Sequence, residues 1–165
     1  MNRAMIGIDP GPVESGIVVW NGQCLFADNI QNKTLIESLP KIIGQFNVSL
    51  VVIEHLCNQG RASVGQSTFD TAVWIGRFIE LAKKRKCSFQ LVTRAQIKRW
   101  HCGKFIGVTD AKIRASLIAK YGKPGTVPNP GPTHGIARHA WQALAAVTFI
   151  TEGGKPNIQI NEVSQ

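Results

Sequence analysis

The sequence lacks any apolar run approaching the ~20 residues that a membrane-spanning helix requires, which excludes a helical membrane protein. It lacks a leader pattern as well. MNRAMIGID passes directly into a strand-like run, so the expectation is a chain without a signal peptide that stays in the cytoplasm. Paired cysteines are missing: Cys24, Cys57, Cys87 and Cys102 are scattered with no CxxC, which argues against a zinc site and for reduced, partly buried thiols. Acidic residues are scarce. Ten Asp and Glu stand against 19 Lys and Arg, giving a net charge of +9 and a pI near 9.8, and the natural partner of such a surface is a polyanion. Internal repeats and low-complexity segments are absent. What remains, 165 residues of which 44% are apolar, suits one domain with a sizeable core. Residues 1–151 read as that domain and 152–165 as a loosely attached tail.

Apolar runs at 4–9, 16–20 and 23–28 read as strands, and Asn21-Gly22 between the last two is a hairpin signal. Leu35, Ile36, Leu39, Ile42, Ile43 and Phe46 recur at helical spacing over 33–46, with Pro40 expected to kink or split the helix. Leu50 to Ile53, continuously apolar and mostly β-branched, predicts a strand buried on both faces. A polar loop over 57–66 leads to a helix from Ser67 to Lys86, with Ser67-x-x-Asp70 resembling a capping box. Cys87 to Val92 predicts a fifth strand, and Ala95 to Trp100 a short helix. Thr109 caps a helix ending at Tyr121, and residues 122–135, with four prolines and four glycines, form a loop. A last helix, Ile136 to Thr151, is apolar almost all round and therefore buried. The pattern implies an α/β fold. Strands 1, 2 and 3 form an antiparallel meander, strands 4 and 5 are parallel, and helices cover both faces of a mixed five-stranded sheet.

Asp9 and Glu54 each end a buried strand. If those strands are parallel neighbours, both carboxylates face one pocket at the sheet edge where α/β proteins build their sites. Two close carboxylates repel, so they must take up protons or share a cation. Mg²⁺ suits them because it takes oxygen ligands and keeps waters for chemistry, with Mn²⁺ a ready substitute. His139 and Gln142 interrupt the last helix at i and i+3, on the same face. Arg61, Trp100 and Lys104 are further candidates for nucleic-acid contact, Arg61 at a phosphate and Trp100 stacked on a base. Their plainer readings are a solvated loop charge for Arg61 and a buried indole for Trp100.

GIDPG near the start, VVIEHL, the basic segment AQIKRWHCGKFIGVTDAKIR and ARHAWQALAAV near the end, in this order, resemble the motifs of RuvC-type Holliday junction resolvases. The resemblance runs from about Ala4 to Ile150. It implies the RNase H-like fold of the retroviral-integrase superfamily, in a short chain that fits a phage-type or compact bacterial version. It also implies a Mg²⁺-dependent endonuclease that recognises four-way junctions by shape, acts as a homodimer, and hydrolyses phosphodiesters to a 5′-phosphate and a 3′-hydroxyl. Asp9 and Glu54 match the first two metal-binding carboxylates, and His139 matches the position where some members use histidine. Lys98 and Lys112 match the basic residues that approach the scissile phosphate.

Two departures stand out. Gln142 falls where the family carries aspartate, so the site is short of one negative charge. Gln142 then serves as a weaker ligand, another acid such as Asp110 or Asp70 substitutes, or the protein binds junctions without cutting them well. Leu56, Cys57, Asn58 and Gln59 occupy the loop where the family often places an aromatic wedge. The rival readings are a branched-DNA-binding protein with a weakened site, an RNase H-like nuclease on hybrids or flaps, and, more distantly, a sugar-kinase-like ATP-binding domain, which would need a second glycine loop.

Overall fold

The computed structural model describes residues 3–57 and 64–157. The elements run β1 (Met5–Asp9), β2 (Glu14–Trp20), β3 (Cys24–Gln31), α1 (Asn32–Gln45), β4 (Leu50–His55), α2 (Gln66–Lys84), β5 (Ser88–Thr93), α3 (Arg94–Cys102), α4 (Asp110–Tyr121) and α5 (Ala140–Thr151). The five strands form one sheet in the order β3-β2-β1-β4-β5. β1 pairs antiparallel with β2, and β2 with β3, whereas β4 runs parallel to both β1 and β5. The mixed α/β sheet expected from the sequence is therefore present. Among the described residues no helix is long and apolar enough to cross a membrane.

Side chains alternate across the sheet and divide the core in two. Ile6, Ile8, Ile17, Val51, Ile53 and Leu91 point to one face and pack beneath α1 and α2. Val18, Val52 and Val92 point to the other, where α5 lies across β1, β2 and β4, with α3 and α4 beside it. Every residue of α5 from Ala140 to Phe149 is buried, as its all-round apolar character requires.

Two strand glycines make that packing possible. A Cβ on Gly7 would lie 2.0 Å from the Ala143 carbonyl oxygen, and one on Gly16 would lie 2.3 Å from the His139 carbonyl carbon. The α5 backbone therefore rests directly on β1 and β2, closer than any side chain would allow.

Several local expectations are corrected. The last helix begins at Ala140, because Arg138 adopts φ 49° and interrupts the helical path between Ile136 and His139. His139 is thus the N-cap and lies outside the helix. α1 is not split at Pro40, and its buried face of Leu35, Leu39, Ile42 and Ile43 runs past the proline. α2 starts at Gln66 after an N-cap glycine, and no Ser67 capping box forms; the Gln66 side-chain amide instead donates to Asp70 at 2.9 Å. The β2–β3 hairpin turns over three residues, not two, and carries a register shift at Val19/Trp20. The chain after α5 is tied down at its start: Glu152 accepts from Trp100 and Tyr121, and the Lys155 carbonyl accepts from Gln96.

Gly7→Ala and Gly16→Ala are each expected to lower stability by about 3 kcal/mol, since backbone must move to admit the methyl group. Gly76→Ala, in the interior of α2 with no atom near its would-be Cβ, should raise it by about 0.5–1 kcal/mol. Denaturant midpoints of the three variants check both signs.

Candidate functional site

Asp9 and Glu54 meet at the C-terminal edge of the two central parallel strands. Ile8 pairs with Ile53, and the acids are the next residue on each strand. By alternation Asp9 lies on the same face as Gly7, and Glu54 on the same face as Val52, so both point toward the α5 side. β5 contributes a third group at the same edge. Two residues beyond buried Val92 comes Arg94, the first residue of α3. Its backbone is locked by a capping box in which Thr93 accepts from the Gln96 N–H and Gln96 accepts from the Thr93 N–H.

The turn after Asp9 is held from below by a buried network. Asn32 donates to the Gly11 carbonyl at 2.8 Å and accepts from the Ser15 hydroxyl at 2.6 Å, and its own N–H donates to Val13. The turn before α5 is held from the side. Asn29 on β3 donates through its amide to the Ala137 carbonyl at 3.0 Å and accepts from the His139 N–H at 2.9 Å. Arg138, between them, pairs with Glu14 at 2.7 Å. With the His139 backbone seated on Gly16, the residue paired with Asp9, its Nδ1 lies 3.2 Å from Asp9 Oδ2.

Charge in the pocket is unbalanced. Arg94 Nη1 donates to both Glu54 oxygens, at 3.1 and 3.3 Å, while Nη2 pairs with Asp110 at the start of α4. Two carboxylates therefore share one guanidinium, and the charge of a third, Asp9, is felt there through space. Burial pushes the Asp9 carboxyl up to about 7, with Asp110 adding to the rise and Arg94 opposing it. Burial also pushes Glu54 up to about 7, reinforced by the neighbouring Asp9 charge and opposed by Arg94. Burial alone would lower the Arg94 guanidinium, but Glu54, Asp110 and Asp9 outweigh it and hold it above its usual range. The two central acids titrate as a pair, and near neutrality they retain protons unless more positive charge arrives.

Asp9, the 10–14 turn, Arg94, Asp110 and His139 line a groove of about 420 Å³. It continues into a second groove of about 690 Å³ that shares Asp110 and His139 and is walled by Arg114, Arg138, Trp141 and Gln142. Gln142 is 3% exposed, and its side-chain oxygen has no hydrogen-bond partner. Among the described residues no three His, Cys, Asp or Glu side chains are arranged to hold a metal ion as they stand. The donor types nevertheless fit a hard divalent cation: two buried carboxylates short of positive charge, an imidazole beside one of them, and an orphaned amide oxygen on the adjoining wall.

The other candidates fall elsewhere. Lys98 lies one helical turn beyond Arg94 on the same side of α3, half-buried. Lys112, on α4, is exposed, and its ammonium donates to the Gly107 carbonyl at 3.0 Å. Trp100 does not join the acids. Its indole N–H donates to Glu152 at 2.7 Å and its ring meets Phe149 edge-to-face, at the far end of α5 from His139. Lys104 is exposed in the α3–α4 connection, and Arg61, with Asn58 and Gln59, lies outside the described residues. Sequence reading passed over Arg94 and the Asn29 clamp. Strand alternation through Val92 was the signal for the first; nothing local signals the second, whose partners are over a hundred residues away.

No family model and no curated protein matches the sequence. Solved structures do match. The RuvC structure from Thermus thermophilus superposes with a TM-score of 0.68 at 14% identity, covering 91% of this chain and 96% of that one. The T. thermophilus RuvC structure in complex with a Holliday junction substrate gives 0.67 at 15% identity, covering 88% and 90%. The yeast mitochondrial Holliday junction resolvase gives 0.52 at 14% identity, covering 72% and 62%.

Because the folded chain keeps protons on Asp9 and Glu54 where the unfolded chain has released them, these groups make stability fall as pH rises from the ordinary carboxylate range to about 7. The metal-free protein is expected to resist denaturant better at pH 5 than at pH 8. Asp9→Asn should flatten more than half of that slope, since it removes one acid and relieves the other. A slope equal to that of the parent would show that the pair is not the source.

Proposed function

We propose that this protein, built on the RuvC resolvase fold, is a divalent-metal-dependent endonuclease of branched DNA, with four-way junctions its foremost substrate. The observation that carries this reading is the meeting of Asp9, Glu54 and His139, residues remote in sequence, at one sheet edge. The fold matches a resolvase along nearly its whole length. The net charge of +9 supports a polyanionic substrate.

Asp9 and Glu54 would hold the cation, Mg²⁺ or Mn²⁺, with His139 and the Gln142 amide oxygen completing the set. When bound, such an ion supplies water activation and charge neutralisation at a phosphodiester. The protein's own groups do the rest. Asn32 and Asn29 keep the two turns from drifting, so the acid and the imidazole stay aligned. Lys98, one turn from Arg94, and Lys112, at the start of α4, offer positive charge to the phosphate. Homodimerisation draws support from α2, where Phe69 and Val73 stand one turn apart, each more than half exposed.

A second reading, a junction-binding protein with a weakened site, is favoured by one observation. Gln142 stands in place of an acid, and Arg94 already occupies Glu54.

Labelled four-way junction, flap, RNA–DNA hybrid and linear duplex incubated with Mg²⁺ or Mn²⁺ separate these readings. The leading one expects cleavage of the junction above all others. It expects Asp9→Asn or Glu54→Gln to cut at least about 100-fold more slowly while junction binding persists. Binding without cleavage in either metal would favour the second reading, and preferential cutting of the hybrid would favour an RNase H-like activity. Gln142→Asp is expected to speed cleavage and tighten Mn²⁺ binding; no change in either would remove Gln142 from the ligand set.

A further inference from the structure

The acid pair comes with a cation of its own. Arg94 reaches Glu54 with one nitrogen and Asp110 with another, and its side chain is only 27% exposed. Its backbone cannot drift away, because the Thr93–Gln96 capping box fixes the start of α3. Glu54 has few other sources of relief. It is 8% exposed, and Arg94 is the cation paired with it among the described residues. An ordinary surface ion pair would gain little and need no such support. This one sits in the groove between Asp9 and Asp110, on the face where His139 closes over Asp9. A divalent ion and the guanidinium therefore compete for the same oxygens, and the side chain is free to leave only by rotating about its own bonds.

We propose that Arg94 is a resident counter-cation that a divalent ion displaces from Glu54 when the site loads. This rests on the metal-binding reading above. It goes further by naming the group that sets the apparent metal affinity. In the unloaded protein Arg94 holds the Glu54 carboxyl through both of its oxygens. Loading exchanges its single charge for a double one and frees the guanidinium to swing into the groove on the side of Lys98, one turn along α3, where a phosphate would lie. Arg94 is thus a positioning residue for the unloaded site and a gate on metal entry.

Isothermal titration of Mn²⁺ into the protein at pH 8.5 tests this. Arg94→Gln is expected to bind Mn²⁺ at least tenfold more tightly than the parent and to melt at a lower temperature without metal. Arg94→Lys, which keeps the charge but cannot bridge two carboxylates, should fall between them. Equal or weaker binding by Arg94→Gln overturns the inference and leaves the metal reading standing. Absence of binding in every form overturns both, whereas binding by Arg94→Gln alone supports the inference. Should Arg94→Gln fail to fold, the parent itself answers. Its Arg94 side-chain ¹⁵N resonance, assigned by its loss in Arg94→Lys, is expected to shift and sharpen on saturation with Mg²⁺. A resonance unmoved at saturation overturns the inference.

Discussion

Everything at this sheet edge depends on the bare contact between α5 and two glycines. Gly7 and Gly16 offer no side chain, so the helix backbone lies against β1 and β2 at a distance that would otherwise be filled by a methyl group. Gly16 is also the residue paired with Asp9. The same contact that packs the helix therefore sets the height of His139 above the carboxylate. Packing and chemistry are one constraint here, and the all-apolar α5 provides the burial that holds it in place.

Much of this was legible in the sequence because it rested on local pattern. Short β-branched runs and the helical spacing of leucines and isoleucines defined the sheet and the helices over it. The acids that terminate β1 and β4 announced themselves as charges where charge is costly. What was illegible depended on distant partners. The early start assigned to α5 followed from apolar content alone, while Arg138, Asn29 and Glu14 together bend the chain out of the helix before Ala140. The unsplit α1 shows the opposite case. Tertiary burial of its apolar face outweighed a proline that local rules treat as a breaker. Of the two substitute acids the sequence offered, Asp110 lies in the pocket lining, brought there by α4, and Asp70 does not.

The charge arrangement departs from a simple cage of acids. One expected carboxylate is an amide, and an acid from another element lies nearby, held by an arginine. Positive charge sits beside the acids in one groove, while the amide that takes an acid's place lines the adjoining one. The acids are already partly neutralised at rest, by Arg94 and by the protons they retain.

The supports of the site differ in kind. Asp9 and Glu54 grow out of the two strands at the centre of the sheet, each flanked on both sides. His139 hangs from Asn29, and Asn29 belongs to β3, an edge strand, which has a neighbour on one side only. Fraying at that border would loosen the imidazole first and leave the carboxylates undisturbed. The cluster is therefore half anchored in bedrock and half moored to the shoreline, and its histidine is the member whose alignment registers the condition of the sheet's margin.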